Sequence, residues 1–159
     1  MKKAIGMAEF ITVSEGIAAT DRMIKTAEID VIEAQTVCPG KYIVIISGEI
    51  SAVNAAVEAA KTHHGAKLID SFVLGNPHES IFPAIYSNAE VTGAEALGVM
   101  ETFSAASAIF AADAAAKTAL VELIELRLAR GMCGKSYLML TGSVAAVTAA
   151  IERANAAAS

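Results

Sequence analysis

Residues 40–60 read GKYIVIISGEISAVNAAVEAA, and residues 134–154 read GKSYLMLTGSVAAVTAAIERA. Set over one another, they match Gly40, Lys41, Gly48, Val53 and Glu58 to Gly134, Lys135, Gly142, Val147 and Glu152. Both glycines and the helix pattern stay in step, which chance does not produce over so long a stretch. Outward from there, AIGMAEF (4–10) lies over ALGVMETF (96–103). Glu9, Ile17, Asp21, Lys25 and Glu33 recur as Glu101, Ile109, Asp113, Lys117 and Glu125. A repeat of this kind sets the domain plan before any single element is read.

Each unit opens on a short apolar strand, Ala4–Phe10 in the first. A helix over 14–27 follows, with Ile17, Thr20, Ile24 and Ala27 expected on one buried face. Next come a strand over 29–37, a turn holding Pro39-Gly40, and a strand over 42–47. The last is apolar on both faces, so it is expected to be central and covered. The second helix, over 50–60, shows Ile50, Val53, Val57 and Ala60, repeated as Val144, Val147, Ile151 and Ala154. A strand over 68–74, an Asn76-Pro77-His78 turn and a short helix over 80–86 complete the first unit. The order β-α-β-β-α-β is the ferredoxin-like plan, an α/β (α+β) fold. The expected domains are 1–88 and 94–159, joined by a linker containing Thr92 and Gly93. The second unit stops at Ser159 without the counterpart of residues 67–86, its last strand and helix; truncation is the expected reason, and closure of the gap by a partner or a swapped segment is the alternative. A sheet so shortened has an unpaired edge.

Composition narrows the function. Of 159 residues, 55% are apolar and 18% charged, which excludes a disordered chain. The net charge of −5, with 12 Lys+Arg against 17 Asp+Glu, argues against a nucleic-acid partner. No apolar run approaches the roughly 20 residues of a membrane span. Glu9 and Glu15 interrupt any signal-peptide core, so the reading is cytoplasmic. A small, charge-poor, alanine-rich chain is expected to bury surface against copies of itself.

On the AIGMAEF opening, the Asp21…Lys25 spacing and the SGEISAVNAAVEAA stretch, the chain resembles bacterial microcompartment shell proteins. More narrowly, it resembles their tandem-domain, trimer-forming members. The segment QTVCPGKY (35–42) is similar to the loop of the iron–sulfur type known from the propanediol-utilisation compartment. The resemblance implies a homotrimer that forms a flat pseudohexamer, tiles with other shell proteins and serves enclosed redox enzymes. It implies a structural rather than enzymatic role, with the loop between the second and third strands lining a central pore. It also implies a [4Fe–4S] cluster at the trimer axis with Cys38 as ligand. Lys25 and Lys117 match the lysine that packs tile edges in that family.

The residues themselves leave Cys38 open. Fe–S clusters normally take four thiolates, and one Cys per chain cannot supply them. Threefold symmetry would gather three. Pro39 restricts and stiffens the loop, and Gly40 allows close backbone approach with an N–H toward sulfur. A Cys₃ zinc site with one water suits the same ligands, and a small buried thiol without metal is the plain alternative. Cys133 falls over Pro39 in the repeat, on a loop two residues longer without proline. It is a further ligand, a redox neighbour or a free thiol.

Three further signals carry no function. ARGMCGKS (129–136) is a near-miss to a phosphate loop, but a strand rather than a helix follows it. His63-His64 point different ways at a helix end that Gly65 is expected to stop, and His78 sits in a turn. No nucleophile–base or paired-carboxylate arrangement stands out.

Overall fold

The computed structural model describes residues 4–158. The strands are β1 (Ala4–Phe10), β2 (Asp30–Val37), β3 (Lys41–Gly48), β4 (Leu68–Leu74), β5 (Ala96–Thr102), β6 (Val121–Arg127) and β7 (Ser136–Gly142). The helices are α1 (Val13–Thr26), α2 (Ile50–His64), α3 (Ile81–Ile85), α4 (Ala105–Thr118) and α5 (Val144–Ala158). The chain divides into two compact units, 1–77 and 78–159.

The first unit is a four-stranded antiparallel sheet in the order β2-β3-β1-β4. As expected from its apolar run, β3 is interior and all but its end residues are buried. The second unit repeats the plan as β5-β7-β6. Registers agree across the repeat: Ala4 faces Gly48 and Phe10 faces Tyr42, while Ala96 faces Gly142 and Thr102 faces Ser136. The irregularity in pairing also recurs, between Val31 and Glu33 and between Leu123 and Glu125. Among the described residues no strand pairs the outer edge of β5, where β4 pairs β1 in the first unit. Leu97 and Val99 on that strand are 59% and 52% exposed, whereas their counterparts Ile5 and Met7 are fully buried.

The helices cover one face of each sheet. In the first unit Ala4, Ala8, Phe10, Tyr42, Val44 and Ile46 meet Ala19, Met23, Val53 and Val57. Gly6 and Gly98 permit this closeness. A Cβ on Gly6 would lie 2.6 Å from Val53 and 3.0 Å from Val57, and one on Gly98 2.9 Å from Val147. The recurrent glycine is thus a packing requirement between β1 and α2, and between β5 and α5.

The expected face of α1 is corrected. Ile17 and Ile24 are exposed, and the buried residues are Gly16, Ala19 and Met23. Small residues bring the helix onto the Tyr42 ring, and hydropathy counts them for little. Likewise Ile50 and Val144 lie exposed at the starts of α2 and α5. The second helix runs past the expected 60 to His64 and into a single 3-10 turn over Gly65–Lys67. Gly65 there has φ −57, so it continues the right-handed chain instead of reversing it. The short helix α3 lies in the second unit, where it packs on β6.

Candidate metal-binding loop

The β2–β3 connection is a tight three-residue turn. Val37 pairs with Lys41, and only Cys38, Pro39 and Gly40 lie between. The peptide before Pro39 is cis. Gly40 has φ +75, a conformation costly for a residue with a Cβ. An added Cβ there would meet nothing within 4 Å, so backbone conformation and not space calls for glycine. Cys38 is half-buried, with a free thiol.

The loop is anchored at its base. Lys41 Nζ donates to Glu9 Oε1 at 3.0 Å across β3 and β1, and the Glu9 side chain is only 6% exposed. The second unit repeats the pair as Lys135 to Glu101 at 2.7 Å, but open to solvent. In sequence both residues recur, but they stand 32 apart in the first unit and 34 apart in the second. The signal was present, because both recur at positions that the antiparallel register brings together.

The counterpart loop between β6 and β7 differs in backbone as well as length. Ala129, Gly131, Cys133 and Gly134 all have positive φ. Ala129 N–H donates to Ser136 Oγ at 3.0 Å and Lys135 N–H to the Met132 carbonyl at 3.0 Å. Cys133 is exposed. The phosphate-loop near-miss leads into β7, and its lysine is engaged by Glu101. Within one chain, among the described residues, no group of three or more His, Cys, Asp or Glu side chains forms a metal site. Any site of three or more such side chains that includes Cys38 would therefore draw ligands from beyond the described residues of one chain.

The helix pairs recur too. Lys25 bonds Asp21 at 2.7 Å and Lys117 bonds Asp113 at 2.6 Å, each one turn apart. Asp113 also accepts the His78 N–H at 2.7 Å, and His78 Nδ1 meets Ser80 Oγ. His64 pairs with Glu15 at 2.8 Å, while its neighbour His63 is exposed. A polar cluster on the second sheet had no sequence signal. Glu125 accepts from Tyr137 Oη at 2.8 Å, from Arg127 at 2.6 Å and from Ser87 Oγ. Burial pushes the Glu125 carboxyl up, yet the Tyr137 hydroxyl, Arg127 and Ser87 together hold it below its ordinary value. The same bond pushes the Tyr137 phenol up.

Two sheets with equivalent registers, each with helices on one face and a Glu–Lys pair at the loop base, constitute one module used twice. The BMC domain family model matches residues 4–77 and again 96–159. The chain belongs to the BMC-domain family. It is 37% identical over 151 residues to the bacterial microcompartment shell protein PduT of Citrobacter freundii, covering 95% of this chain and 82% of that one. The crystal structure of a microcompartment protein from Desulfitobacterium hafniense superposes with a TM-score of 0.91 at 44% identity. That match covers 97% of this chain and 86% of the other. A fused, permuted hexameric shell protein of the RMM microcompartment follows at TM-score 0.73 and 25% identity, covering 98% and 83%. The chain is a structural shell protein of a bacterial microcompartment, built from tandem BMC domains. No described helix is long and apolar enough to cross a membrane.

Proposed function

We propose that three copies of this chain form a flat pseudohexamer in a microcompartment shell, and that Cys38 from each copy holds a [4Fe–4S] cluster at the shared axis. The observation that carries the reading is the half-buried Cys38 thiol at the tip of a three-residue turn, held at its base by the buried Lys41–Glu9 pair. Its support is the tandem-domain family and the likeness to a fused hexameric shell protein. The donor chemistry fits such a group. A thiolate is the usual cluster ligand, Pro39 removes a competing N–H, and Gly40 leaves open space beside the backbone. When bound, the cluster supplies one-electron chemistry whose potential follows hydrogen bonding and exposure. The role is electron transfer or cluster exchange across the shell, serving enclosed redox enzymes, and the protein itself is not an enzyme. Its other partners are neighbouring shell proteins, with Lys25 and Lys117 at the tile edges.

Anaerobic purification with iron, zinc and acid-labile sulfide analysis tests this. The expected result is iron and sulfide in the trimer, with a visible iron–sulfur chromophore, all lost in Cys38→Ser while the trimer persists. Iron retained in Cys38→Ser overturns the assignment. Zinc without sulfide makes the loop a Cys₃ zinc site. A metal-free trimer leaves the second reading, a metabolite pore or plain tile in which Cys38 is an ordinary lining thiol.

A further inference from the structure

We propose that the surface around Leu120 is a self-pairing contact between two copies of this chain, in which the Leu120 side chain of each copy enters a cavity beside the other's. Leu120 lies between α4 and β6 and is 94% exposed. Next to it, where β6 begins, β7 ends and the residues before β5 pass, is an open cavity of about 380 Å³. Ala94, Leu120, Val121 and Gly142 give it an apolar wall. The first unit, whose sheet has all four strands, has a cavity of about 330 Å³ at the same place in the repeat. The cavity therefore belongs to the module and does not arise from the open edge of β5.

The polar groups around this cavity already have partners. Thr141 Oγ1 donates to the Ala96 carbonyl at 2.7 Å, and Ser143 Oγ accepts the Ala146 N–H at 3.2 Å. Glu122 accepts both the N–H and the hydroxyl of Thr92. Glu95, the remaining carboxylate, stands in solvent. An apolar side chain can enter without stranding a donor or acceptor, so the lining calls for an apolar occupant. The chain itself supplies one. Knob and hole lie on a single patch, and such a patch fits its own twofold image, because each leucine then fills the other's cavity. The repeat shows that folding does not require the leucine. Its counterpart in the first unit is Glu28, and Glu49 stands at that cavity where the second unit has Ser143. Two such mouths would set like charges face to face, so the contact is particular to the second unit. It requires neither Cys38 nor a threefold axis, so it stands or falls apart from the proposed function.

Sedimentation equilibrium of the full chain over a range of concentrations tests this, with wild type, Leu120→Glu, Leu120→Met and Ala94→Phe compared. Leu120→Glu copies the first unit, so folding is not at stake, and Ala94→Phe fills the cavity from an exposed wall residue. The expected result is a concentration-dependent association of the wild type. Leu120→Glu and Ala94→Phe each weaken it by at least about tenfold, since each removes the burial of two leucines. Leu120→Met keeps it within about threefold, since shape and apolar character are conserved. If the chain is a trimer, the trimer persists in Leu120→Glu and only the pairing of trimers is lost. Association equal in wild type and Leu120→Glu overturns the proposal. So does loss of the trimer itself in Leu120→Glu, because a threefold contact joins unlike patches. Association abolished by Leu120→Glu but untouched by Ala94→Phe overturns it too, since the leucine would then be seated elsewhere.

Discussion

Replacing Gly16 with Ala sets two well-known effects against each other. An alanine in a helix interior is favoured over glycine by about 1 kcal/mol, so the exposed-helix expectation is stabilisation. At this position the new Cβ would lie 2.4 Å from Tyr42 Cδ1, 2.5 Å from its Cβ and 2.6 Å from its Cγ. Ordinary carbon contacts sit at about 3.5–4.0 Å. A rotamer change cannot clear the overlap, because Tyr42 Cβ is fixed by the backbone of β3. Relief requires moving α1 off the sheet. Overpacking of this kind costs about 1–3 kcal/mol, and an overlap rooted in the backbone belongs at the upper end. The net expectation is a loss of about 2 kcal/mol, a fall in Tm of about 4–8 °C for a chain of this size. Urea denaturation followed by circular dichroism measures it as a lower midpoint at unchanged slope. The repeat supplies its own control. In the second unit the pair is Ala108 and Ser136, both fully buried, so alanine is accommodated where the tyrosine is absent. In a Tyr42→Ser background, Gly16→Ala is therefore expected to be neutral or to gain up to about 1 kcal/mol. A Gly16→Ala penalty that persists undiminished in that background refutes the argument, as does a raised midpoint in the wild-type background.

The recurrent Glu–Lys pair predicts unequal costs in the two units. Lys41→Met strands the nearly buried Glu9 carboxylate and should cost about 3–5 kcal/mol. Lys135→Met, beside an exposed Glu101, should change stability by less than about 0.5 kcal/mol. Denaturation midpoints of the two variants check the contrast. Acid sensitivity follows from Glu125. Its folded carboxyl lies below the ordinary value, so its stabilisation is full above the unfolded pKa and is lost as pH falls through the folded one. Tyr137→Phe removes a donor to that carboxylate, so the stabilisation should be smaller and its loss complete at higher pH. A carboxyl-carbon NMR titration of Glu125 reads the shift directly, and an unmoved titration would count against the hydrogen bond.

The strands were legible along the chain because the interior ones have compact apolar signatures, whereas β2, DVIEAQTV, is polar and mostly open. Ala4–Phe10 and Leu68–Leu74 match to the residue, and the repeat carried the strand and helix pattern into the second unit, though not its β6–β7 loop. The buried face of α1 was not legible. Hydropathy favoured Ile17 and Ile24, whereas contact with the sheet is made by Gly16 and Ala19, whose value lies in their small size. Cys38 could be placed on a loop from Pro39-Gly40 alone, and the structure puts it at the tip of a three-residue turn. The anchor beneath it needed the register, which brings Lys41 beside Glu9 from 32 residues away. The Glu125 cluster needed tertiary structure outright, since Ser87, Tyr137 and Arg127 come from three separate segments.

The Gly16–Tyr42 and Ala108–Ser136 pairs bear on how such a gene can evolve. Similar halves within one gene invite recombination that would make them alike again. A crossover that carried the second helix onto the first sheet would press Ala108 into Tyr42, and the reciprocal product would leave Gly16 facing Ser136 across a void. Each chimera folds worse than its parents, so size-matched partners keep the halves distinct and free to specialise their loops separately.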